Sequence, residues 1–250
     1  MPALEPFADP HRVPSLLAEP ASRAFSVVVV SAGWPADLER LAASLGRHCA
    51  GADYELVVVS IASPDLAAAA EALAAAGGPV RGLAFTQRVG WAAAANAGIT
   101  QSAGTIVVLG LTSIEASGDF LTPLAGALAD EAVGLVGPWG LRTADLRSFE
   151  ECTEGPAHAV QWYCMAFRRA DVARVGLIDP GYKFYRNADI DWSFQWLDHG
   201  FSLRTLNLSL WRHEHREWDE LEASQRDRKS RDNFSRFLRR WRDRKDLAET

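Results

Sequence analysis

Residues 25–45 read FSVVVVSAGWPADLERLAASL. Four consecutive valines between serines predict a short strand buried on both faces, because a strand covered on one side only would alternate apolar with polar residues. Pro35 stands where a helix can start, since its missing N–H is one that a first turn leaves unpaired anyway. Leu38, Leu41, Ala42 and Leu45 then recur at helical spacing. The same order repeats downstream. Residues 55–61 (ELVVVSI) predict a second buried strand, Pro64-Asp65 a helix start and Gly77-Gly78 its stop. A third strand is expected over 80–86, a helix of small residues over 90–103, a fourth strand over 105–111 (TIVVLGL), a helix over 121–128 and a short strand over 133–136. Strands and helices alternating in this way predict an α/β fold, a mostly parallel sheet with helices on both faces. In such sheets the ligand crevice lies beyond the carboxyl ends of the strands. Those ends fall at 31–33, 60–62, 87–88 and 110–112.

The second half is less regular. A strand is expected over 159–168, a helix over 169–175 before Gly176, a helix over 190–199 ended by Gly200, and strands over 201–206 and 209–211. Residues 220–245 are densely charged, with Phe234, Phe237, Leu238 and Trp241 on one stripe, the pattern of an amphipathic helix. The expected layout is an extension over 1–24, one domain over 25–219, and a helical segment over 220–250 packed on it. The basic residues of that segment alternate with acidic ones, so a solvated, salt-bridged face is the first reading and contact with anionic lipid the sharper one.

Composition narrows the function classes. The chain has 250 residues, 48% of them hydrophobic, enough for one large core. Its net charge of -6 supplies no global basic field, so nucleic acid is not an expected partner. Cys49, Cys152 and Cys164 have neither metal-site nor disulfide-framework spacing, which points to reduced thiols and a cytoplasmic setting. The proline- and acid-containing start is not expected to act as a signal peptide, and no apolar run is long enough to span a bilayer. A soluble protein is expected, at most peripheral at the inner face of a membrane.

Chemistry concentrates in residues 184–192 (FYRNADIDW) and in His213 and His215. Residues i and i+2 share one side of an extended strand or turn. Read that way, Asp189 and Asp191 point into one cavity, as do the two histidines. Carboxylates with a histidine can supply a general base and metal ligands. The competing reading is an acidic helix start, with Asp189 capping a helix that begins near Ile190.

Taken in order, these blocks resemble family-2-like glycosyltransferases of the GT-A fold, from about residue 25 to 244. FSVVVVSAGWPADLERLAASL resembles that family's first strand, nucleotide-facing turn and first helix. LVVVSIASPD resembles its second strand and following turn, and VGWAAAANAGI its glycine-and-asparagine helix. IVVLGLTSIEASGDFLTPL resembles the strand that ends in Asp-x-Asp, and YCMAFRRADVARVGLIDPGYKFYRNADIDWSF the acceptor-side block that ends in Glu-Asp-x-Asp. LWRHEHREW resembles the late strand that brings a histidine to the metal. The resemblance implies transfer of a sugar, of hexosyl or deoxyhexosyl type and with inversion, from a nucleotide-sugar donor to a hydroxyl on a glycan, lipid-linked or small-molecule acceptor. Association into a homodimer is compatible with it.

The departures from the pattern are specific. Ser60 stands where the family holds the donor base with Asp. Gly110-Leu111-Thr112 replaces Asp-x-Asp, and Ala188 replaces the first acid of Glu-Asp-x-Asp. A cation bridging a diphosphate takes hard oxygen ligands, usually carboxylates. The site therefore either rebuilds a Mn2+ or Mg2+ centre from Glu115 and His213 or works without a metal. By resemblance Asp189 is the catalytic base, with Asp191 beside it holding the turn or lining the acceptor pocket. Donor contacts fall to Ser31, Gly33, Ser60, Arg88, Asn96, Gly110 and Thr112, and acceptor contacts to Trp162, Tyr163 and Trp192. Plainer readings stand beside these: a surface ion pair for Arg88, a surface position for Asn96, core packing for the aromatic rings, a buried and hydrogen-bonded role for His213. His215 is the fallback for His213. A domain that keeps the fold but binds a glycan, nucleotide or protein partner without catalysis is the alternative.

Overall fold

The structure is a computed structural model that describes residues 5–248. Strands β1 (Glu5–Phe7), β2 (Arg23–Ser31), β3 (Tyr54–Ile61), β4 (Val80–Phe85) and β5 (Gly104–Gly110) are interleaved with helices α1 (Pro35–His48), α2 (Pro64–Ala75) and α3 (Trp91–Thr100). Next come β6 (Ile114–Ala116), α4 (Leu121–Leu128), β7 (Val133–Gly137), four short strands β8 (Gly140–Arg142), β9 (Glu150–Cys152), β10 (Gly155–Ala157) and β11 (Ala159–Val160), and then β12 (Cys164–Arg168). The chain finishes with α5 (Val172–Val175), α6 (Ala188–Asp198), β13 (Ser202–Thr205), β14 (Leu210–Arg212), α7 (Arg216–Asp219) and α8 (Ala223–Trp241). Nine strands form one sheet in the order β1-β4-β3-β2-β5-β12-β7-β13-β10. The run from β1 to β5 is parallel, and β12 lies antiparallel between β5 and β7.

The valine run is explained by burial on both sides. Val27 and Val29 pack toward α1 and α4, while Val28 and Val30 pack toward α3 and the aromatic side chains of α6. Helix α3 reaches the sheet closely because its residues are small: a Cβ on Gly98 would lie 2.4 Å from Val28 Cγ1. Local signals set the helix starts. Ser63 caps α2 by accepting from the Leu66 N–H at 3.4 Å, and Asp119 accepts from the Leu121 N–H at 3.0 Å ahead of α4.

Several expectations change. Residues 5–7, within the expected extension, add a parallel edge strand to β4. The single strand expected over 159–168 is two, β11 and β12, broken at 161–163. Helix α6 starts at Ala188, two residues before the expected 190, and the helix expected over 169–175 is a 3-10 turn, Arg169–Asp171, followed by α5. Arg168 and Arg169 are spent on backbone: Arg168 donates to the carbonyls of Leu128 (2.7 Å) and Val133 (2.8 Å), and Arg169 to those of Ser102 (2.8 Å) and Leu16 (3.1 Å). Among the described residues no helix is long and apolar enough to cross a membrane.

Candidate active site

Helix α6 is entered through a strained turn. Asn187 has φ 65°, a left-handed conformation that asparagine tolerates better than most residues. Helix α8 holds this turn in place. Asn187 Nδ2 donates to the Ser230 carbonyl at 2.9 Å, and Asn233 Nδ2 donates to the carbonyls of Phe184 (2.8 Å) and Arg186 (2.7 Å). Asp189 follows in the first turn of α6. Its Oδ1 accepts from the Ile190 N–H at 3.0 Å and its Oδ2 from the Trp162 N–H at 3.4 Å. A helix N-terminus and two N–H donors favour the carboxylate. Burial outweighs them and pushes the Asp189 carboxyl up to about 6, with Arg186 pulling the other way. The group borders a cavity of about 110 Å³ shared with Leu111, Gln161, Tyr163, Tyr185 and Arg186. Leu111 lies one residue past β5, so one strand tip and Asp189 do face the same space.

Asp191 does not. On an α-helix, residues i and i+2 are rotated by about 200° from each other, so the shared side expected from an extended reading is lost. Asp191 is buried, 1% exposed, and turned to α8: Trp241 Nε1 donates to its Oδ1 at 2.8 Å and Arg240 Nη1 to its Oδ2 at 3.0 Å. It is a structural anchor rather than a second catalytic carboxylate. Trp192 likewise leaves the acceptor set. It is fully buried, donates Nε1 to the Gly176 carbonyl at 3.2 Å and stacks on Trp162. Trp162 is buried too, yet its backbone N–H is what reaches Asp189, and Tyr163 lines the cavity beside it. Asn187, and not Asp189, occupies the N-cap position of α6.

The other strand tips lie beside that of β5, at the carboxyl end of the same parallel run. Ser31 donates its hydroxyl to the Gly33 carbonyl at 2.8 Å and Ser60 donates to the Ser63 carbonyl at 2.8 Å, so both shape turns. Trp34 and Ala62, in those turns, have φ 60° and 50°. Strain of this kind costs about 1–3 kcal/mol per residue and concentrates at functional sites. Gly33 leaves open space where a Cβ would stand, whereas a Cβ on Gly110 would lie 3.0 Å from the Tyr163 carbonyl. Thr112 is buried. Arg88 is exposed, and its charge acts on Glu217, whose carboxyl burial raises and Lys229 and Arg88 lower. Asn96 is removed from the donor set: it clasps the Ile178 backbone, donating to the carbonyl at 2.8 Å and accepting from the N–H at 3.0 Å.

Glu115 and His213 do meet, with His213 Nε2 2.8 Å from Glu115 Oε2. Pairing of β14 with β6 brings them there, and the His213 N–H also donates to the Ser113 carbonyl at 2.8 Å. Two arginines of α1 share the carboxylate, Arg47 at 3.4 Å and Arg40 at 3.8 Å. A metal ion needs those carboxylate lone pairs and is repelled by two guanidiniums. The neighbouring Gly110, Leu111, Thr112 and Ser113 offer no charged oxygen, and among the described residues no three His, Cys, Asp or Glu gather to hold an ion. The residues present do not fit a divalent centre. His215 diverges from His213 because the chain leaves β14 and His215 caps α7, accepting from the Trp218 N–H at 3.3 Å. Its ring lies 4.4 Å from that of Tyr185, and burial lowers its pKa to about 4, leaving it neutral. The segment over 213–220 thus packs on the ring of Tyr185, which lines the cavity, and is tied at its far end by Trp34 Nε1 donating to Glu220 at 2.8 Å.

Sequence reasoning missed Arg40, Arg47, Arg186 and Tyr185. The α1 pair carried a faint signal, with Asp37, Arg40 and Arg47 on one helical face.

The fold and the cleft define a GT-A-like α/β domain. The chain belongs to glycosyl transferase family 2, whose model matches residues 26–176 and stops short of Asp189. It is similar to the crystal structure of GalNAc-T7 with UDP, GalNAc and Mn2+ (TM-score 0.71, 16% identity, 90% of this chain and 49% of that one). It is also similar to the mannosyltransferase PcManGT from Pyrobaculum calidifontis in complex with GDP-Man and Mn2+ (TM-score 0.58, 20% identity, 78% and 57%). A third likeness is to S. aureus TarS 1–349 (TM-score 0.57, 13% identity, 87% and 72%). The chain spans about half the length of the first two. No curated protein sequence matches it.

Proposed function

We propose that this protein transfers a sugar from a nucleotide-sugar donor to an acceptor hydroxyl with inversion, and that Asp189 is the general base. The observation that carries this is Asp189 itself, a carboxylate raised to about 6 in a cavity it shares with the tip of β5. Asp189 takes the proton of the acceptor hydroxyl while that oxygen bonds to the anomeric carbon. The bond from that carbon to the diphosphate breaks, and its electron pair leaves with the nucleoside diphosphate. A base with a pKa near the working pH combines availability with proton affinity. Tyr163 and Arg186 supply a ring face and a charge at the acceptor side. The cavity is smaller than the about 300–1,000 Å³ of a typical ligand pocket, so on this reading the donor opens it further, and the segment over 213–220, whose His215 ring packs on Tyr185 at its edge, is the element that gives way.

The test is release of nucleoside diphosphate from a panel of UDP-, GDP- and dTDP-sugars, followed against pH. We expect kcat/KM to rise through pH about 6, as Asp189 loses its proton, and then to level. Stability runs the other way. A folded-state pKa above the unfolded value means the contribution of this group is present below about 4 and is lost as pH rises through about 6. Discounted for its partial exposure, the loss is about 1–2 kcal/mol. Asp189→Asn therefore melts above the wild type at pH 8 and level with it at pH 4; equal melting at both pH values contradicts a buried, strained carboxylate.

A second reading, binding without turnover, is favoured by the neutral Ser60, Gly110 and Thr112 where the family's donor carboxylates stand. It predicts nucleotide or glycan binding with no product from any donor.

A further inference from the structure

We propose that the diphosphate end of this cleft is served by the protein's own side chains, the cations Arg40 and Arg47 beside the hydrogen-bonding ring of His213, and takes its anion without a divalent ion. The proposal rests on the donor-binding reading above and deepens it. Three observations converge. The tip of β5 carries no carboxylate, so the ligand set that would bridge an ion to a diphosphate is missing where β5 runs into the cavity that Asp189 borders. The acid that follows the tip of β5 in the chain, Glu115, is already engaged, bonded to His213 at 2.8 Å and paired with Arg47 at 3.4 Å and Arg40 at 3.8 Å.

The third observation is unused donor capacity at the same place. Arg40 gives Nη1 to Asp37 at 2.8 Å, while its Nε and Nη2 are buried with no hydrogen-bond partner. The Ser113 hydroxyl, next to the carbonyl that receives the His213 N–H, is also buried without a partner. Buried donors of this kind are normally satisfied; the free Nη2, beside an Nε that meets Glu115 only at 3.8 Å, presents a guanidinium edge that matches a phosphate oxygen pair. Arg216, 3.0 Å from Asp37, adds a further positive charge on the same side of α1. Opposing the anion are two carboxylates, Asp37 and Glu115. Asp37 is held by Arg40 and Arg216, and Glu115 is the group an incoming phosphate would displace from the arginines.

Glu115 makes the two possibilities separable. As a metal ligand it would be essential; as a competitor for the arginines it is inhibitory. The experiment is calorimetry with UDP, GDP and dTDP on the full chain, once with Mn2+ and once with EDTA, for the wild type, Glu115→Gln and Arg40→Gln/Arg47→Gln, with circular dichroism to verify folding. The expected result is that one nucleoside diphosphate binds with an affinity that agrees within about twofold between Mn2+ and EDTA, that Glu115→Gln binds it about threefold to tenfold more tightly, and that the double arginine variant binds it at least about tenfold more weakly. Should the double variant not fold, Glu115→Gln decides alone. Binding that requires Mn2+, or that Glu115→Gln abolishes, overturns this inference and leaves the transferase reading intact. Binding of no nucleotide under either condition removes both.

Discussion

Asp189→Asn should bind a nucleotide sugar as the wild type does and turn it over about a hundred to ten thousand times more slowly, the usual worth of a positioned general base. The substitution keeps the shape of the side chain, and the Asn Oδ1 can still accept from the Ile190 N–H; only the longer bond from the Trp162 N–H, 3.4 Å from Oδ2, loses its acceptor. What disappears is the ability to take a proton. The effect therefore falls on kcat with little change in KM, the signature of an interaction made in the transition state and absent from the ground state. Loss of binding together with turnover would mean that Asp189 organises the cleft instead of acting in it. Retention of full turnover would remove Asp189 from the mechanism.

The second large effect is expected at Asp191, and it is one of stability. Removing its carboxylate in Asp191→Ala leaves the buried Trp241 indole N–H without an acceptor and cuts the joint between α6 and α8. Arg240 is 42% exposed on its side chain and stays hydrated, so its lost pairing counts for little. The orphaned indole donor and the loosened packing cost about 2–3 kcal/mol, or about 5–10 °C in melting temperature for a chain of this size. Because α8 also holds the carbonyls of Phe184 and Arg186 through Asn233, activity should fall as the helix loosens and recover on cooling. A variant that melts within about a degree of the wild type but has lost turnover at every temperature would return Asp191 to the catalytic set.

The contrast between these two residues marks how far the sequence could be read. Parallel strands buried on both faces carry continuous apolar runs, so β2, β3 and β5 were legible to within a residue or two, and β4, with its mixed VRGLAF, through its place after the Gly77-Gly78 stop. Strands β6, β8, β9, β10 and β11 have two or three residues each and a mixed composition, too short for any period to register. Asp189 and Asp191 were visible as a pair. Their division of labour depends on whether the backbone there is extended or helical, and α6 begins two residues earlier than its apolar pattern suggests. The cluster around Glu115 was half legible. Glu115 and His213 could be named, but the arginines beside them come from α1, and only the pairing of β6 with β14 brings all four together.

Amide hydrogen exchange with and without the nucleoside diphosphate that binds tests the central claim most directly. If the strand tips and the Asp189 turn form two walls of one donor site, protection should appear together at 31–34, 60–63 and 111–113 and at Asp189 and Ile190, and the segment over 213–220 should change with them. Protection confined to one wall, or gathered on a different surface with the Asp189 turn unaffected, would contradict it.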